Sequence, residues 1–377
     1  MPVFSCGGMR YQQSWNRSAA VTAASQQNLQ ATIDRALALG IDHIETARGY
    51  GTSEAQLGPV LAGLPRAAFK LQSKIRPIDD VGLFERQLEE SFRSLQVGHL
   101  DLFAFHGVNT PACLQRIFRP GGCYQVVERL RRDGRIRHVG LSTHGRTDLI
   151  VQAINTGKFD YINLHYYYIL PDNRPALEAA RQQDMGVFII SPTDKGGRLQ
   201  NPPAKLRALS APLSPMVFNH LWCLAHPEIH TLSIGAARPS DFDEHLQVLP
   251  LLTDPARHLG PIAARWEQAF GEALGATFAR DWQQGLRDFS ELPGRINVRK
   301  ILWLDNLARA FDLLDFAQER YAAMEPDDHW VPGAKATDFD DESLVAALPD
   351  SPFRHELPQR LRAAHQRLYN PEVEPGP

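Results

Sequence analysis

The stretch that decides the fold is residues 69–106, which read FKLQSKIRPIDDVGLFERQLEESFRSLQVGHLDLFAFH. Two short apolar runs, Phe69–Lys74 and Leu100–His106, flank an amphipathic segment at Val81–Leu95. A strand, a helix and a second strand in this order form a βαβ unit, in which the two strands lie parallel. The stretch therefore predicts a parallel sheet whose faces are covered by helices.

Six further apolar runs repeat this pattern along the chain. They are Val3–Cys6, His43–Thr46, His138–Ser142, Tyr161–His165, Val187–Ser191 and Thr231–Ile234. Eight strands that alternate with helical segments predict an α/β fold, a closed (β/α)₈ TIM barrel. The alternative is an open doubly wound sheet. It favours a Gly-x-Gly-x-x-Gly turn after the first strand, where this chain has Gly7-Gly8.

The composition is that of an ordinary globular protein, with 377 residues, 43% hydrophobic and 22% charged residues, and a net charge of -3. This balance gives no reason to expect nucleic acid or a membrane surface as a partner. The longest apolar runs are too short to span a bilayer. Four scattered cysteines (Cys6, Cys113, Cys123 and Cys223) form no disulfide framework, so we expect a cytoplasmic protein.

The length exceeds what one barrel needs, since such barrels take roughly 250 residues. After residue 255 the strand pattern stops, and Ile262–Leu274 and Val298–Arg320 have helical spacing. We therefore expect two domains, a barrel at 1–255 and a helical C-terminal extension at 256–377.

Polar residues end three neighbouring strands of the predicted barrel. Glu45, Lys74 and His106 end the second, third and fourth strands, and Tyr50 follows Glu45 by five residues. Because a parallel barrel brings its strand tips to one mouth, where active sites of this fold lie, we expect these four side chains to converge.

These residue types suit the reduction of a carbonyl group. A tyrosine with a pKa near 10 is a weak acid at neutral pH, and a neighbouring cation such as Lys74 lowers that pKa. Glu45 is placed to hold Lys74, and His106 to donate a hydrogen bond to the carbonyl oxygen. The hydride must come from a cofactor, since no side chain supplies one.

Residues 40–51, GIDHIETARGYG, together with Leu100–His106, resemble signatures of the aldo–keto reductase superfamily. The resemblance covers about residues 1–250 and implies that Tyr50 is the general acid, Lys74 its activator and His106 the residue that orients the carbonyl. Glu45 stands where the family almost always has aspartate.

The same resemblance implies a nicotinamide cofactor, NADPH first and NADH as the alternative. Ser142 and Asn163 would bind the nicotinamide carboxamide, with Asn163 in place of the usual glutamine. The other implied contacts are Ser191 and Lys195 to the pyrophosphate, Glu244 to adenine and Arg238 to a 2′-phosphate.

The C-terminal segments Leu292–Val298 and Asn306–Phe311 are similar to a ferredoxin-like extension found in one branch of the family. In that branch four cysteines before this motif hold a [4Fe–4S] cluster. The corresponding positions here are Trp282, Gly285, Asp288 and Leu292. We therefore expect a degenerate extension without an iron–sulfur cluster.

The sequence thus predicts an oxidoreductase that reduces a small-molecule aldehyde or ketone; it specifies no protein partner. One alternative is a non-catalytic nicotinamide-cofactor-binding protein with a regulatory or partner-docking role on the same barrel. Another is a metal-dependent barrel hydrolase using His43, Glu45, His106 and His165, whose imidazoles and carboxylate would suit zinc.

Overall fold

Eight parallel strands pair in chain order and close into a barrel. The computed structural model describes residues 1–326 and 330–374. The strands are β1 (Phe4–Gly7), β2 (His43–Glu45), β3 (Lys70–Ile75), β4 (Leu100–His106), β5 (Ile136–Ser142), β6 (Tyr161–Leu164), β7 (Gly186–Ile190) and β8 (Thr231–Gly235). Because β8 also pairs with β1, the sheet has no open edge. The predicted (β/α)₈ barrel is confirmed, and the open sheet is excluded.

Helices follow the strands. They are α1 (Ala23–Ala38), α2 (Ser53–Ala62), α3 (Val81–Leu95), α4 (Pro111–Phe118), α5 (Cys123–Arg132), α6 (Thr147–Ile154), α7 (Arg174–Gln182), α8 (Ala204–Ser210), α9 (Pro215–Leu224) and α10 (Phe242–Leu246). The long connections after β4 and β7 each contain a short helix, α4 and α8.

Helix α3 illustrates how the sequence builds the outer layer. The Asp80 side chain accepts a hydrogen bond from the Leu83 N–H at 2.8 Å and so caps the first turn. The buried side chains of α3 include Phe84, Leu88, Phe92 and Leu95, at intervals of three and four residues. Their spacing directs one face of the helix onto the sheet, where Phe84 stacks on Phe105 with ring centroids 5.9 Å apart.

Side chains that alternate along the strands fill the barrel interior. Leu102, Ala104, Tyr161 and Phe188 form a buried cluster there, and the rings of Tyr161 and Phe188 stack at 5.0 Å. A Cβ atom on Gly140 would lie 2.6 Å from the Tyr161 ring, so the large ring needs a glycine beside it. The interior is therefore a packed core rather than a channel.

The chain forms two compact units, one of residues 1–196 and 219–255 and the other of Gly197–Phe218 with the chain from Ala256 onward. Within the second unit the Arg265 guanidinium donates hydrogen bonds to the carbonyls of Leu209, at 2.9 Å, and Ala211. The predicted domains, 1–255 and 256–377, assign residues 197–218 to the barrel, whereas these residues belong to the second compact unit. The division into two domains at residue 255 stays a prediction.

The second unit is helical, with α11 (Pro255–Leu274), α12 (Ala276–Asp281), α13 (Val298–Phe311), α14 (Leu314–Ala322), α15 (Asp341–Ala347) and α16 (Leu357–Leu368). The single helix expected at Val298–Arg320 is two helices, because Asp312 has left-handed backbone angles (φ 57°, ψ 27°). Within the described residues, no helix is both long and apolar enough to cross a membrane.

Candidate active site

The side chains expected to converge lie at the carboxyl ends of neighbouring strands. Glu45 is the last residue of β2, Lys74 is the last but one of β3, and His106 ends β4. Tyr50 lies in the loop that leads from β2 to α2. Glu45 and Lys74 are buried, whereas Tyr50 and His106 are partly exposed. A buried ion pair therefore lies behind two rings that a ligand can reach.

The Lys74 ammonium connects three parts of this site. It donates hydrogen bonds to Glu45 Oε1, to the Thr46 carbonyl at 3.1 Å and to the Tyr50 hydroxyl at 3.3 Å. These contacts match the three donors of an ammonium group. A buried lysine with every donor satisfied and an anionic partner keeps its charge, so the Tyr50 hydroxyl has a fixed cation beside it.

His106 packs against the Tyr50 ring. The two rings meet edge-on, with centroids 5.6 Å apart and an interplanar angle of 86°. Tyr50 therefore contacts both the Lys74 ammonium and an imidazole, and a carbonyl oxygen near the phenol would also be near His106.

The pKa shifts follow from burial and from these neighbours. Burial lowers the pKa of Lys74, but the Glu45 carboxylate and the Tyr50 phenol together outweigh burial, and the net shift is upward. Burial raises the pKa of Glu45, but Lys74 and the Ser233 hydroxyl bring it below the ordinary value. The pair is therefore ionised at neutral pH.

The pKa of Tyr50 differs from the expectation. Burial of the phenol raises it more than Lys74 lowers it, and the Glu45 charge adds to the rise. The sequence analysis included the cation but not the loss of water around the hydroxyl. In the protein without ligands the phenol is therefore fully protonated at neutral pH.

Ser233 is a neighbour of Glu45 that the sequence analysis missed. It lies on β8, and its buried hydroxyl donates a hydrogen bond to Glu45 Oε2. A usable signal exists in the alternation along β8, which places residues 231, 233 and 235 on one face. The contact is long-range, however, and only the closed barrel reveals which acceptor Ser233 meets.

The residues expected to bind the nicotinamide lie side by side on neighbouring strands. Ser142 pairs with His106 on one side and with Asn163 on the other. Asn163 Oδ1 accepts a hydrogen bond from Gln72 Nε2 at 2.9 Å. Asn163 Nδ2 is buried and has no hydrogen-bond partner among the described residues. An unsatisfied donor here fits an oxygen acceptor such as a carboxamide carbonyl.

Ser191 and Lys195 share one turn after β7. The Lys195 N–H donates to the Ser191 carbonyl at 3.0 Å, and the Lys195 side chain is buried. Ser191 has a positive φ of 51°, which reverses the chain directly after the strand. The structure thus places a lysine and a tight turn together at the strand end.

Arg238 and Glu244 lie beyond β8, where Glu244 is on α10. The Arg238 guanidinium is 73% exposed and forms an ion pair with Asp241 at 3.0 Å. The same carboxylate accepts the Ala237 N–H at 2.9 Å. Asp241 therefore already accepts from Arg238 Nε and from the Ala237 N–H, while the other guanidinium donors of Arg238 make no bond to it.

The structure does not support the metal-dependent hydrolase. Across residues 1–326 and 330–374, no cluster of three or more His, Cys, Asp or Glu side chains has the arrangement of a metal site. His165 instead shares hydrogen bonds with His144 and with the Tyr167 hydroxyl. His43, Glu45, His106 and His165 thus form no ligand set, and this alternative is wrong.

Comparisons with known proteins all identify the same family. Residues 4–215, more than half of the chain, match the Aldo/keto reductase family. Two relatives named aldo-keto reductase, from Mycobacterium sp. strains KMS and JLS, are each 30% identical over 181 residues. Each match covers 47% of this chain, and the chain spans 63% of the length of these relatives.

Solved structures resemble the barrel. An aldo-keto reductase from Bacillus halodurans, in its holo form, is 22% identical with a TM-score of 0.56, covering 70% of this chain and 91% of that one. An aldo-keto reductase from Klebsiella pneumoniae, in complex with NADPH, is 21% identical with a TM-score of 0.56, covering 70% and 90%. At these identities the neighbours establish the fold.

Proposed function

The chain belongs to the aldo/keto reductase family, and from its site we propose that it reduces an aldehyde or a ketone with hydride from NADPH, Tyr50 being the general acid. The observation that carries the proposal is the contact of one ammonium, Lys74 Nζ, with both the Glu45 carboxylate and the Tyr50 hydroxyl. Such a contact stabilises the phenolate that remains when the proton has left.

Each residue has one task in this reaction. Tyr50 Oη gives its proton to the carbonyl oxygen as negative charge develops there. Lys74 stabilises the tyrosinate that is left, and Glu45 holds Lys74 in place. His106, beside the Tyr50 ring, orients the carbonyl by a hydrogen bond to the same oxygen. When bound, NADPH supplies the hydride that the protein cannot provide.

The residues at the strand ends suit this cofactor. We propose that Asn163 and the Ser142 side chain bind the carboxamide of the nicotinamide, which the unsatisfied Asn163 Nδ2 supports. We propose that Ser191 and the buried Lys195 bind the pyrophosphate, which the tight turn at Ser191 supports. We further propose that Glu244 contacts the adenine and that Arg238 is the cation for the 2′-phosphate. Solved family members contain NADPH, which supports it ahead of NADH.

The test combines binding and turnover. NADPH should raise the Tm of the protein, because a ligand at 100 times its Kd adds about 2.7 kcal/mol to the free energy of unfolding. Loss of NADPH absorbance should then be measured with a panel of aldehydes and ketones. No change of Tm with either NADPH or NADH would contradict the cofactor assignment. Binding without turnover on any carbonyl would favour the non-catalytic regulatory or docking role.

Tyr50→Phe identifies the acid. The variant keeps the ring that packs on His106 but has no proton to give, so the rate should fall by about 10²–10⁴-fold. NADPH affinity should be unchanged. Tyr369→Phe, at an exposed tyrosine, is the matched control and should keep full activity. A Tyr50→Phe enzyme as fast as the control would exclude Tyr50 as the acid.

Two broader expectations accompany this function. We propose a cytoplasmic location, because four scattered cysteines suit a reducing compartment. We also propose that residues 256–377 are a degenerate ferredoxin-like extension, on the basis of their short sequence motif. Trp282, Gly285, Asp288 and Leu292 at the cluster positions offer no thiolate, so iron analysis of the purified protein should find no bound iron.

A further inference from the structure

The Glu45 carboxylate is held from two sides of the barrel. Its Oε1 atom accepts from Lys74 on β3, and its Oε2 atom accepts from Ser233 on β8. Strands β8 and β2 are not neighbours, because β1 lies between them. The carboxylate therefore links the strand that carries Lys74 to a strand on the far side of β1.

Glycine on β1 leaves room for this contact. A Cβ atom on Gly7 would lie 3.1 Å from Ser233 Oγ and 3.2 Å from the Ile234 carbonyl oxygen. Both distances are tighter than ordinary van der Waals contact, so a larger residue would push the Ser233 hydroxyl away. Glycine at position 7 therefore leaves the Ser233 hydroxyl free to reach Glu45.

The length of the glutamate side chain fits the same arrangement. An aspartate at this position would be shorter by one methylene and would not span both partners. With Oε1 on Lys74 and Oε2 on Ser233, the carboxylate has a donor for each oxygen, and it cannot rotate without breaking a buried charge-assisted hydrogen bond.

We propose that Ser233 is a positioning residue for carbonyl reduction, acting through Glu45 to hold the Lys74 ammonium at the Tyr50 hydroxyl. The catalytic role of Ser233 rests on the proposed function. The hydrogen bonds that link Ser233, Glu45 and Lys74 lie within the protein itself. The titratable groups that face Glu45 are Lys74, Tyr50, His43, Cys6, Tyr11 and Tyr161.

The decisive variant is Ser233→Ala, with Ser5→Ala as its matched control. Ser5 pairs with Ser233 in register, is fully buried, and its hydroxyl has no hydrogen-bond partner among the described residues. Ser233→Ala should lower kcat about 10-fold, as expected for loss of a hydrogen bond to a charged group, and leave KM and NADPH affinity unchanged. Ser5→Ala should leave all three unchanged.

A second variant shows whether Ser233 acts through Glu45. Glu45→Asp already breaks the bridge, so Ser233→Ala in that background should lower kcat less than twofold, well below its effect in the native chain. If Ser233→Ala lowers kcat by the same factor in the Glu45→Asp background as in the native chain, the proposal is overturned, since Ser233 would then act by another route.

A measurement without turnover separates this inference from the proposed function. The chain has seven lysines, so ¹⁵N-lysine labelling gives a short list of ammonium signals at neutral pH, and Lys74→Met identifies the one from Lys74. Ser233→Ala should shift or broaden that signal, whereas Ser5→Ala should not. An unchanged Lys74 signal overturns the positioning role. A shifted signal in a protein that reduces no carbonyl supports the contact while contradicting the proposed reaction.

Discussion

Asp241 decides how much of the Arg238 charge is open to a ligand. Its carboxylate accepts the Ala237 N–H and forms an ion pair with the Arg238 guanidinium. A 2′-phosphate held by Arg238 would have to displace this carboxylate or lie beside it, and like charges repel at such distances. The proposed preference for NADPH therefore depends on how strongly the Asp241 carboxylate repels the 2′-phosphate near Arg238.

Asp241→Asn should increase the affinity for NADPH. The amide oxygen can still accept the Ala237 N–H, but the negative charge beside Arg238 is removed. Because exposed ion pairs contribute about 0.2–1 kcal/mol, we expect the Kd for NADPH to fall by up to about fivefold, with little change for NADH. Fluorescence titration with both nucleotides measures the ratio.

The matched control for this change is Asp243→Asn, which removes the same charge two residues away. Asp243 forms an exposed ion pair with Arg35 at 3.0 Å and has no contact with Arg238. Equal effects of both variants on NADPH would point to net charge rather than to the Arg238 position. No effect of Asp241→Asn would argue against Arg238 as the phosphate ligand.

Sequence reasoning reached some residues of the candidate site and missed others for a physical reason. The positions of Glu45, Lys74 and His106 at neighbouring strand ends follow from local alternation and from chain order. The contact with Ser233 depends on the closure of β8 onto β1. The upward pKa shift of Tyr50 depends on how much water the folded loops exclude. Neither the contact with Ser233 nor the pKa shift of Tyr50 can be inferred from a short stretch of sequence.

The elements were predictable where the pattern is strong. Helix α3 has the bounds that its apolar spacing predicts, and each strand begins and ends within two residues of the bounds of its predicted apolar run. The apolar spacing over residues 298–320 continues across a break in the helix. Helix α13 ends at Phe311 and α14 begins at Leu314, which is exposed although it continues the apolar spacing. The backbone reversal at Asp312 therefore changes the direction of the chain without interrupting the spacing of apolar residues in the sequence.

Asp312→Gly should stabilise the second unit. Asp312 is exposed and has a positive φ of 57°, a conformation that costs an ordinary L-residue roughly 1 kcal/mol and glycine little. We expect the free energy of unfolding in urea to rise by about 0.5–1 kcal/mol, less any entropy that glycine adds to the unfolded chain. Asp315→Gly, in the first turn of α14, should lower it by about 1 kcal/mol. If both variants lower stability equally, the turn at Asp312 is unstrained.

At the scale of the whole molecule, the residues proposed for catalysis and cofactor binding all lie in the first unit, residues 1–196 and 219–255. That unit also buries several histidines away from water, among them His43, His220 and His245. His43 lies inside the barrel against the Phe188 ring, and His245 on α10 shares a 2.7 Å hydrogen bond with His220. Burial lowers the pKa of His43 and of His245 to about 4, and burial together with His245 holds the pKa of His220 well below its ordinary value. All three imidazoles are therefore neutral in the folded protein at physiological pH.

These histidines predict a loss of stability in mild acid. In the unfolded chain they take up protons near pH 6.5, but in the folded protein only near pH 4 or below, so acid favours the unfolded state. The free energy of unfolding should have its full value above pH 6.5 and should decrease between pH 6.5 and 4, by up to about 3 kcal/mol for each of His43 and His245. Urea unfolding at a series of pH values in this window measures the slope.

His245→Asn removes one of these titrating groups and keeps a polar atom near His220. Its urea midpoint should therefore depend less steeply on pH than that of the native protein, with the two curves converging in acid. His138→Asn, at a histidine whose side chain is 61% exposed, should leave the slope unchanged. If His245→Asn retains the native slope, the acid sensitivity of the first unit comes from groups other than the pair of His220 and His245.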